Sequence, residues 1–339
     1  MFEPDYLFSA HPQPAERRQV ADGVYWLHFP MPLALDHINL WLLDDGDAWV
    51  LVDAGLATAE LRALWDNVID NALDGKPIRR IILTHFHPDH VGLADWLARR
   101  FNAEVCMTRT EWATTRMVYQ RSDAEADASF RDFLGAHGLQ SAALDSAAGG
   151  GNAYRRMVFA LPPEPHLIEA GSRLLIGGRE WRVHIGRGHA PEHACLYRSD
   201  DHVLIAGDQI LPRISSNLSV TPHEPDADPV CAFVQSLQAL KQALPADTLV
   251  LPGHGLPFRG LRERVDDLVQ HHRQQLNAAE QACRAEARTA FHLLPVLFER
   301  ELQGPQIFFA MGEAIAHLNC LHAQGRVRRD LQDGMWLFQ

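Results

Sequence analysis

The chain lacks any C-x-x-C spacing: Cys106, Cys195, Cys231, Cys283 and Cys320 are scattered and odd in number. That pattern excludes a sequence-legible disulfide framework and suits a reducing compartment in which all five are small buried hydrophobes. The amino-terminal stretch MFEPDYLFSAHPQPAERRQ has no basic start followed by an apolar core, and no later run approaches the ~20 apolar residues of a membrane span. The expectation is a cytoplasmic protein without membrane partners. Positive charge is also short, with 31 Lys and Arg against 43 Asp and Glu and a net charge of -12. A general electrostatic pull toward phosphate backbones is therefore missing, and RNA is left open as a partner but disfavoured by this acidity.

What is present describes a globular protein. Hydrophobic residues make up 47% and charged residues 22% of 339 positions, enough chain for more than one core. Residues 23–56 alternate short apolar runs around a DDGD turn, as strands joined by hairpins do. A helix is predicted over TAELRALWDNVIDNAL, a strand over IRRIILT, and a single helix over DHVGLADWLARRF. Residues 101–165 read as an inserted segment, helical and then loop-like, able to cover a site. A second set of strands follows in SRLLIGGREWRVHIGRG, ACLYRSDDHVLIAGD and DTLVLPGHG, interrupted by a helix that opens at Asp228 and Pro229. Beyond them comes a charged helix in which His271 and His272 are expected to be solvated. The end of the chain reads as further helices and then a hairpin turning at QDG, the element order of a winged helix. The division expected is 1–270 for a catalytic domain and 271–339 for a winged-helix-like domain.

Chemistry concentrates in LTHFHPDHVG, residues 83–92, which places His85, His87, Asp89 and His90 just after an apolar strand. Imidazole nitrogen and carboxylate oxygen are ligands for zinc and similar ions, and a catalytic ion needs several of them from different strand ends. Three more residues share one local pattern of apolar strand, glycine, ligand: His189 in RVHIGRGHAPEH, Asp208 in VLIAGDQ and His254 in TLVLPGHG. Glycine before the ligand lets the backbone turn sharply toward an ion.

The series THFHPDH, GHAPEH, AGD and PGHG, in that order over roughly residues 20–260, resembles the metallo-β-lactamase superfamily. The resemblance implies an α/β fold, an αββα sandwich with a metal site at one edge. By motif, His85, His87 and His189 would bind one ion, Asp89, His90 and His254 a second, and Asp208 would bridge them, with Asp53 supporting the ligands from behind. Two divalent ions follow, Zn2+ first, with Mn2+ or Fe suited to the same ligand types. The tail and the sequence PGHGLPFRGLRERVDDLVQHHRQQ resemble the β-lactamase-like protein 2 branch, some of whose members cut RNA. Ala190, Pro191 and Glu192 stand where much of the family has Thr-Pro-Gly.

The function expected is hydrolysis of a small acyl substrate, thioester or ester, by hydroxide that a pair of ions makes available, with Asp89 orienting the nucleophile and taking its proton. The alternatives are a single-strand endoribonuclease and, in another class, a winged-helix binding protein with a non-catalytic metallo-domain. His37, His193, Arg213 and Asn217 are the candidate substrate contacts. The C-terminal domain is expected to pack or dimerise rather than bind DNA, so a homodimer is compatible with the sequence.

Overall fold

The computed structural model describes residues 2–140, 143–145, 149–299, 302 and 305–339. The strands of the first half are β1 (Asp5–Tyr6), β2 (Arg18–Ala21), β3 (Val24–Pro30), β4 (His37–Asp44), β5 (Trp49–Val52), β6 (Ile78–Ile82), β7 (Glu104–Thr108) and β8 (His166–Ile168). Between them lie α1 (Ala59–Asn71), α2 (Pro88–Val91), α3 (Ala94–Phe101), α4 (Arg109–Gln120), α5 (Asp123–Ala136) and α6 (Ala153–Met157). The second half supplies β9 (Arg173–Ile176), β10 (Arg179–Gly186), β11 (His193–Arg198), β12 (Val203–Gly207), α7 (Pro229–Ala243), β13 (Leu249–Pro252) and β14 (Phe258–Arg259). The chain closes with α8 (Leu261–Ala285), α9 (Ala290–Leu297), α10 (Pro305–Ala323), β15 (Arg329–Gln332) and β16 (Met335–Phe338).

Two seven-stranded sheets face each other, ordered β2-β3-β4-β5-β6-β7-β8 and β1-β14-β13-β12-β11-β10-β9. Side-chain alternation explains why they stack. Trp26, Trp41, Val50 and Val52 of the first sheet meet Trp181, Val183, Leu196 and Ile205 of the second in one buried layer. The alternate residues Phe29, Leu40, Leu42 and Leu51 face outward onto Trp65 of α1 and Leu97 of α3. On the far side, Leu204 and Val250 pack under Phe233 of α7 and Val265 of α8. The result is the αββα sandwich, each sheet covered by helices on its outer face.

Three expectations are corrected. The helix anticipated over DHVGLADWLARRF is two helices, α2 and α3, because the Leu93 amide donates to the Gly55 carbonyl at 3.0 Å instead of continuing the helical ladder, and a Cβ at Gly92 would lie 2.5 Å from that same oxygen and 2.7 Å from the Ala57 nitrogen. Main chain cannot yield there, so only glycine passes, and the helix restarts beyond it. Cys231 and Cys320 are not separate buried hydrophobes: they are disulfide-bonded, with Cα atoms 6.1 Å apart, and tie α7 to α10. Their separation of 89 residues carried no sequence signal, since pairing depends on tertiary approach. His272 is buried rather than solvated: α10 covers it, and its Nε2 lies 2.9 Å from Ser215 Oγ.

The segment 101–165 begins with β7, which pairs in parallel with both β6 and β8, and continues through α4, α5 and α6. Position 270/271 lies inside α8. The C-terminal elements are helices followed by a hairpin whose turn holds Asp333 at φ 49° and Gly334 at φ 78°. Met311, Ile315 and Phe338 share a buried cluster with Phe233 and Val265. Among the described residues no helix is long and apolar enough to cross a membrane.

Candidate metal centre

β6 delivers the first ligand loop. After Ile82, the Thr84 amide donates to Asp53 Oδ1 at 2.8 Å, which fixes the direction in which His85 leaves the strand. His87 then precedes Pro88, whose ring sets the first-turn φ of α2, and Asp89 and His90 project from that turn. The loop with His189 follows β10, Asp208 follows β12 and His254 follows β13. Glycine is required most plainly at Gly188, where φ is +99° and a Cβ would lie 2.5 Å from both Phe233 Cβ and the Pro229 carbonyl.

All seven side chains converge at one end of the sandwich. His85 Nε2 lies 2.9 Å from His87 Nδ1 and 3.2 Å from His189 Nε2. His254 Nε2 lies 3.3 Å from Asp89 Oδ2, and His90 Nε2 lies 3.7 Å from the same oxygen. Asp208 stands between the two groups: Oδ1 is 3.5 Å from His90, while Oδ2 is 3.5 Å from His189 and 3.3 Å from His254. Spacings of this size suit ligands that share an ion at ~2.0–2.2 Å. Three of the atoms, His90 Nε2, His254 Nε2 and Asp208 Oδ1, are buried without a hydrogen-bond partner. A buried polar atom left unpaired is costly, and a cation among these lone pairs removes that cost, so the residues fit a metal.

The electrostatics agree. Burial, together with the surrounding imidazoles, holds His85 and His193 well below the usual histidine range, and His87 at about 3. Burial would lower His90 too, but the carboxylates of Asp53, Asp208 and Asp89 override it and raise the ring well above that range. At His254 burial is likewise outweighed, by Asp208 and Asp89, and the ring is raised to about 10. One side of the centre is thus neutral and rich in lone pairs, and the other carries a strong negative potential.

Supporting residues surround the ligands. Asp53, at φ 63°, accepts from His90 Nδ1 at 2.8 Å and from the Thr84 hydroxyl. His193 is fully buried, stacks on His85 at 4.7 Å and accepts the Asp208 amide at 3.1 Å, so it braces ligands rather than facing open space. His37 accepts the Gly255 amide at 2.7 Å, and its carbonyl accepts from His254 Nδ1 at 2.6 Å. Asn217 contributes its carbonyl to His189 Nδ1 at 2.8 Å. Arg213 turns the other way, with Nε donating to the Tyr6 hydroxyl at 3.0 Å. Glu192 is engaged by Thr110 at 2.6 Å and Arg187 at 3.1 Å.

Two buried residues escaped the sequence reading. Glu111 of α4 accepts the Phe86 amide at 2.9 Å and the Glu192 amide at 2.6 Å, clamping the loops of His85/His87 and His189 together. Burial pushes its carboxyl up to about 7, against the pull of those amides. Asn39 of β4 donates to the carbonyls of Pro252 at 2.9 Å and Gly255 at 2.7 Å, securing the His254 loop from the opposite sheet. Neither stands in a motif: their partners are far away in the chain.

A two-sheet sandwich with a histidine and aspartate cluster at its edge defines a class of metal-ligating α/β proteins. The family described as Metallo-beta-lactamase superfamily matches residues 33–254, and the chain belongs to that superfamily. A second family, described as Metallo-beta-lactamase-like, C-terminal domain, matches residues 276–339. Among solved structures, the chain is similar to a beta-lactamase domain protein from Burkholderia ambifaria, with 40% identity, coverage of 99% of this chain and 97% of that one, and a TM-score of 0.92. It is also similar to the probable metallo-hydrolase YqjP of Bacillus subtilis, 26% identical over 89% of this chain and 93% of the relative. A third relative is the acyl-coenzyme A thioesterase MBLAC2 of Bos taurus, 22% identical over 70% of this chain and 80% of the relative.

Proposed function

We propose that the protein is a hydrolase of small acyl compounds, thioesters or esters, working with two divalent ions, Zn2+ first among them, held by His85, His87, Asp89, His90, His189, Asp208 and His254. The observation that carries this reading is the inward set of unpaired buried donors, His90 Nε2, His254 Nε2 and Asp208 Oδ1, with the remaining ligands packed about them. When bound, such ions lower the pKa of water from 15.7 toward ~7 and polarise a substrate oxygen. The chain's own part is orientation. Asp89 keeps a partly exposed carboxylate beside His254 Nε2, where it can align an incoming nucleophile and hold its proton. Asp208 spans both ligand groups and keeps them in register, while Glu111 and Asn39 fix the loops that carry them. The name of the bovine relative favours an acyl thioester as the substrate class. We read the C-terminal helices and hairpin as a winged-helix-like packing unit of a cytoplasmic protein, one that can also pair two copies into a homodimer.

One substrate panel decides between chemistries. Purified, zinc-loaded protein is expected to hydrolyse acyl-CoA, glutathione thioesters or simple esters and to leave unstructured RNA intact. RNA cleavage without acyl turnover overturns the acyl reading. Element analysis of protein purified without added metal identifies the ions.

Asp53 allows a milder probe. Asp53→Asn keeps a residue that tolerates positive φ but removes the charge facing His90 Nδ1. Zn2+ affinity, measured by competition with a chromophoric chelator, is expected to fall roughly 10–100-fold, the usual cost of losing a partner that orients a ligand. An affinity within twofold of the parent would show that Asp53 serves only the fold.

A further inference from the structure

Three more imidazoles converge away from the cluster just described. His11 lies on the amino-terminal arm before β2, His28 in β3 and His37 at the start of β4. Their ring centroids are 4.5 Å (His11–His28), 4.4 Å (His11–His37) and 5.1 Å (His28–His37) apart. One nitrogen from each lies within 4.8 Å of the other two. His11 Nε2 and His28 Nδ1 are buried atoms with no hydrogen-bond partner. Core packing gives imidazoles no reason to leave two ring nitrogens buried and unpaired, whereas a shared cation does.

His37 completes the set. Its Nε2 accepts the Gly255 amide, so Nδ1 carries the ring hydrogen and donates to Asp36 Oδ1 at 2.7 Å. The Asp36 side chain is 86% exposed, so this bond can be exchanged with little loss. For Nδ1 to serve as the third ligand atom the neutral ring takes its other tautomer: the Nδ1 proton leaves through the Asp36 carboxylate to solvent, Nε2 takes one up, and the Gly255 amide gives up its bond to the ring. Burial holds His28 at about 4, with help from His11 and His37, which keeps the ring neutral as a ligand must be.

We propose that His11, His28 and His37 form a separate site for one divalent cation of the kind that prefers imidazole. Three imidazole nitrogens with a water in the fourth position make a set of the type zinc takes, with copper and nickel served by the same ligands. The ion joins the amino-terminal arm to two strands of the first sheet. It does so directly behind the metal centre, because the His37 carbonyl orients His254.

Zn2+ is the probe. In crystals of the full chain grown with Zn2+, data collected at the zinc edge are expected to show an anomalous peak among His11, His28 and His37. In solution, metal-stripped protein is expected to take up one equivalent of Zn2+ more than His28→Gln does; should that variant not fold, His11→Gln, on the arm outside the sheet, replaces it. The absence of a peak between these rings, or equal uptake by the parent and a folded variant, overturns the site. The same map reads the Asp208 cluster separately: a peak at the three histidines with none near Asp208 defeats the proposed function and leaves this site standing.

Discussion

Replacing Asp208 by alanine is expected to lower kcat/KM on the order of 10³-fold, equivalent to about 4 kcal/mol of transition-state stabilisation. The carboxylate stands between both ligand groups, lying 3.5 Å from His90 and His189 and 3.3 Å from His254. The backbone at this position is anchored independently, since the Asp208 amide donates to His193 and the Asp208 carbonyl accepts from the Ser216 hydroxyl. The substitution therefore removes charge and ligand atoms while the loop keeps its course. Steady-state turnover of whichever substrate the panel reveals, bound-metal content and far-UV circular dichroism together check this. Activity within tenfold of the parent, in a folded protein, would remove Asp208 from the chemistry.

Trp65→Ala is expected to lower stability by about 3–5 kcal/mol, the cost of deleting a large aromatic side chain from a core that cannot collapse onto the gap. Trp65 is fully buried, meets Phe29 at a centroid distance of 5.0 Å and donates from Nε1 to the Ala54 carbonyl at 2.9 Å. Ala54 in turn donates to the His90 carbonyl at 2.8 Å, so the ring stands behind the turn that steadies a ligand. Urea unfolding of parent and variant in the presence of chelator measures the packing alone. A loss under about 1 kcal/mol would mean that neighbouring side chains fill the space, as they do at compliant core positions.

Some features were legible in the sequence because their cause is local. A strand buried on both faces reads as a continuous apolar run, and a candidate ligand at its end reads as glycine followed by histidine or aspartate, so the strand-end positions of His189, Asp208 and His254 could be read before any contact was known. The Asp333–Gly334 turn and the cap at Asp228 are likewise properties of neighbouring residues. What escaped depends on distance in the chain. Asn39 acts on carbonyls more than 200 positions away, Glu111 joins loops near 86 and 192, and Cys231 finds Cys320 only once α10 has docked. His272 looked solvated because its sequence neighbours are charged, but the apolar face of α8 is covered by helices that no window of local sequence contains. The break at Gly92 has the same origin, in the main chain of residues 55–57.

The seven candidate ligands are divided between the two sheets, four arriving from the β6 side and three from the β10, β12 and β13 side, and Asn39 reaches across to hold the last of them. Neither sheet alone carries all seven. On the proposed reading, closing the sandwich and filling its edge are one equilibrium rather than two. At a free ion concentration 100 times Kd, each ion adds about 2.7 kcal/mol to the closed state. Metal supply would then govern how long the folded chain persists as well as how fast it turns over, and metal starvation would be read out as loss of protein.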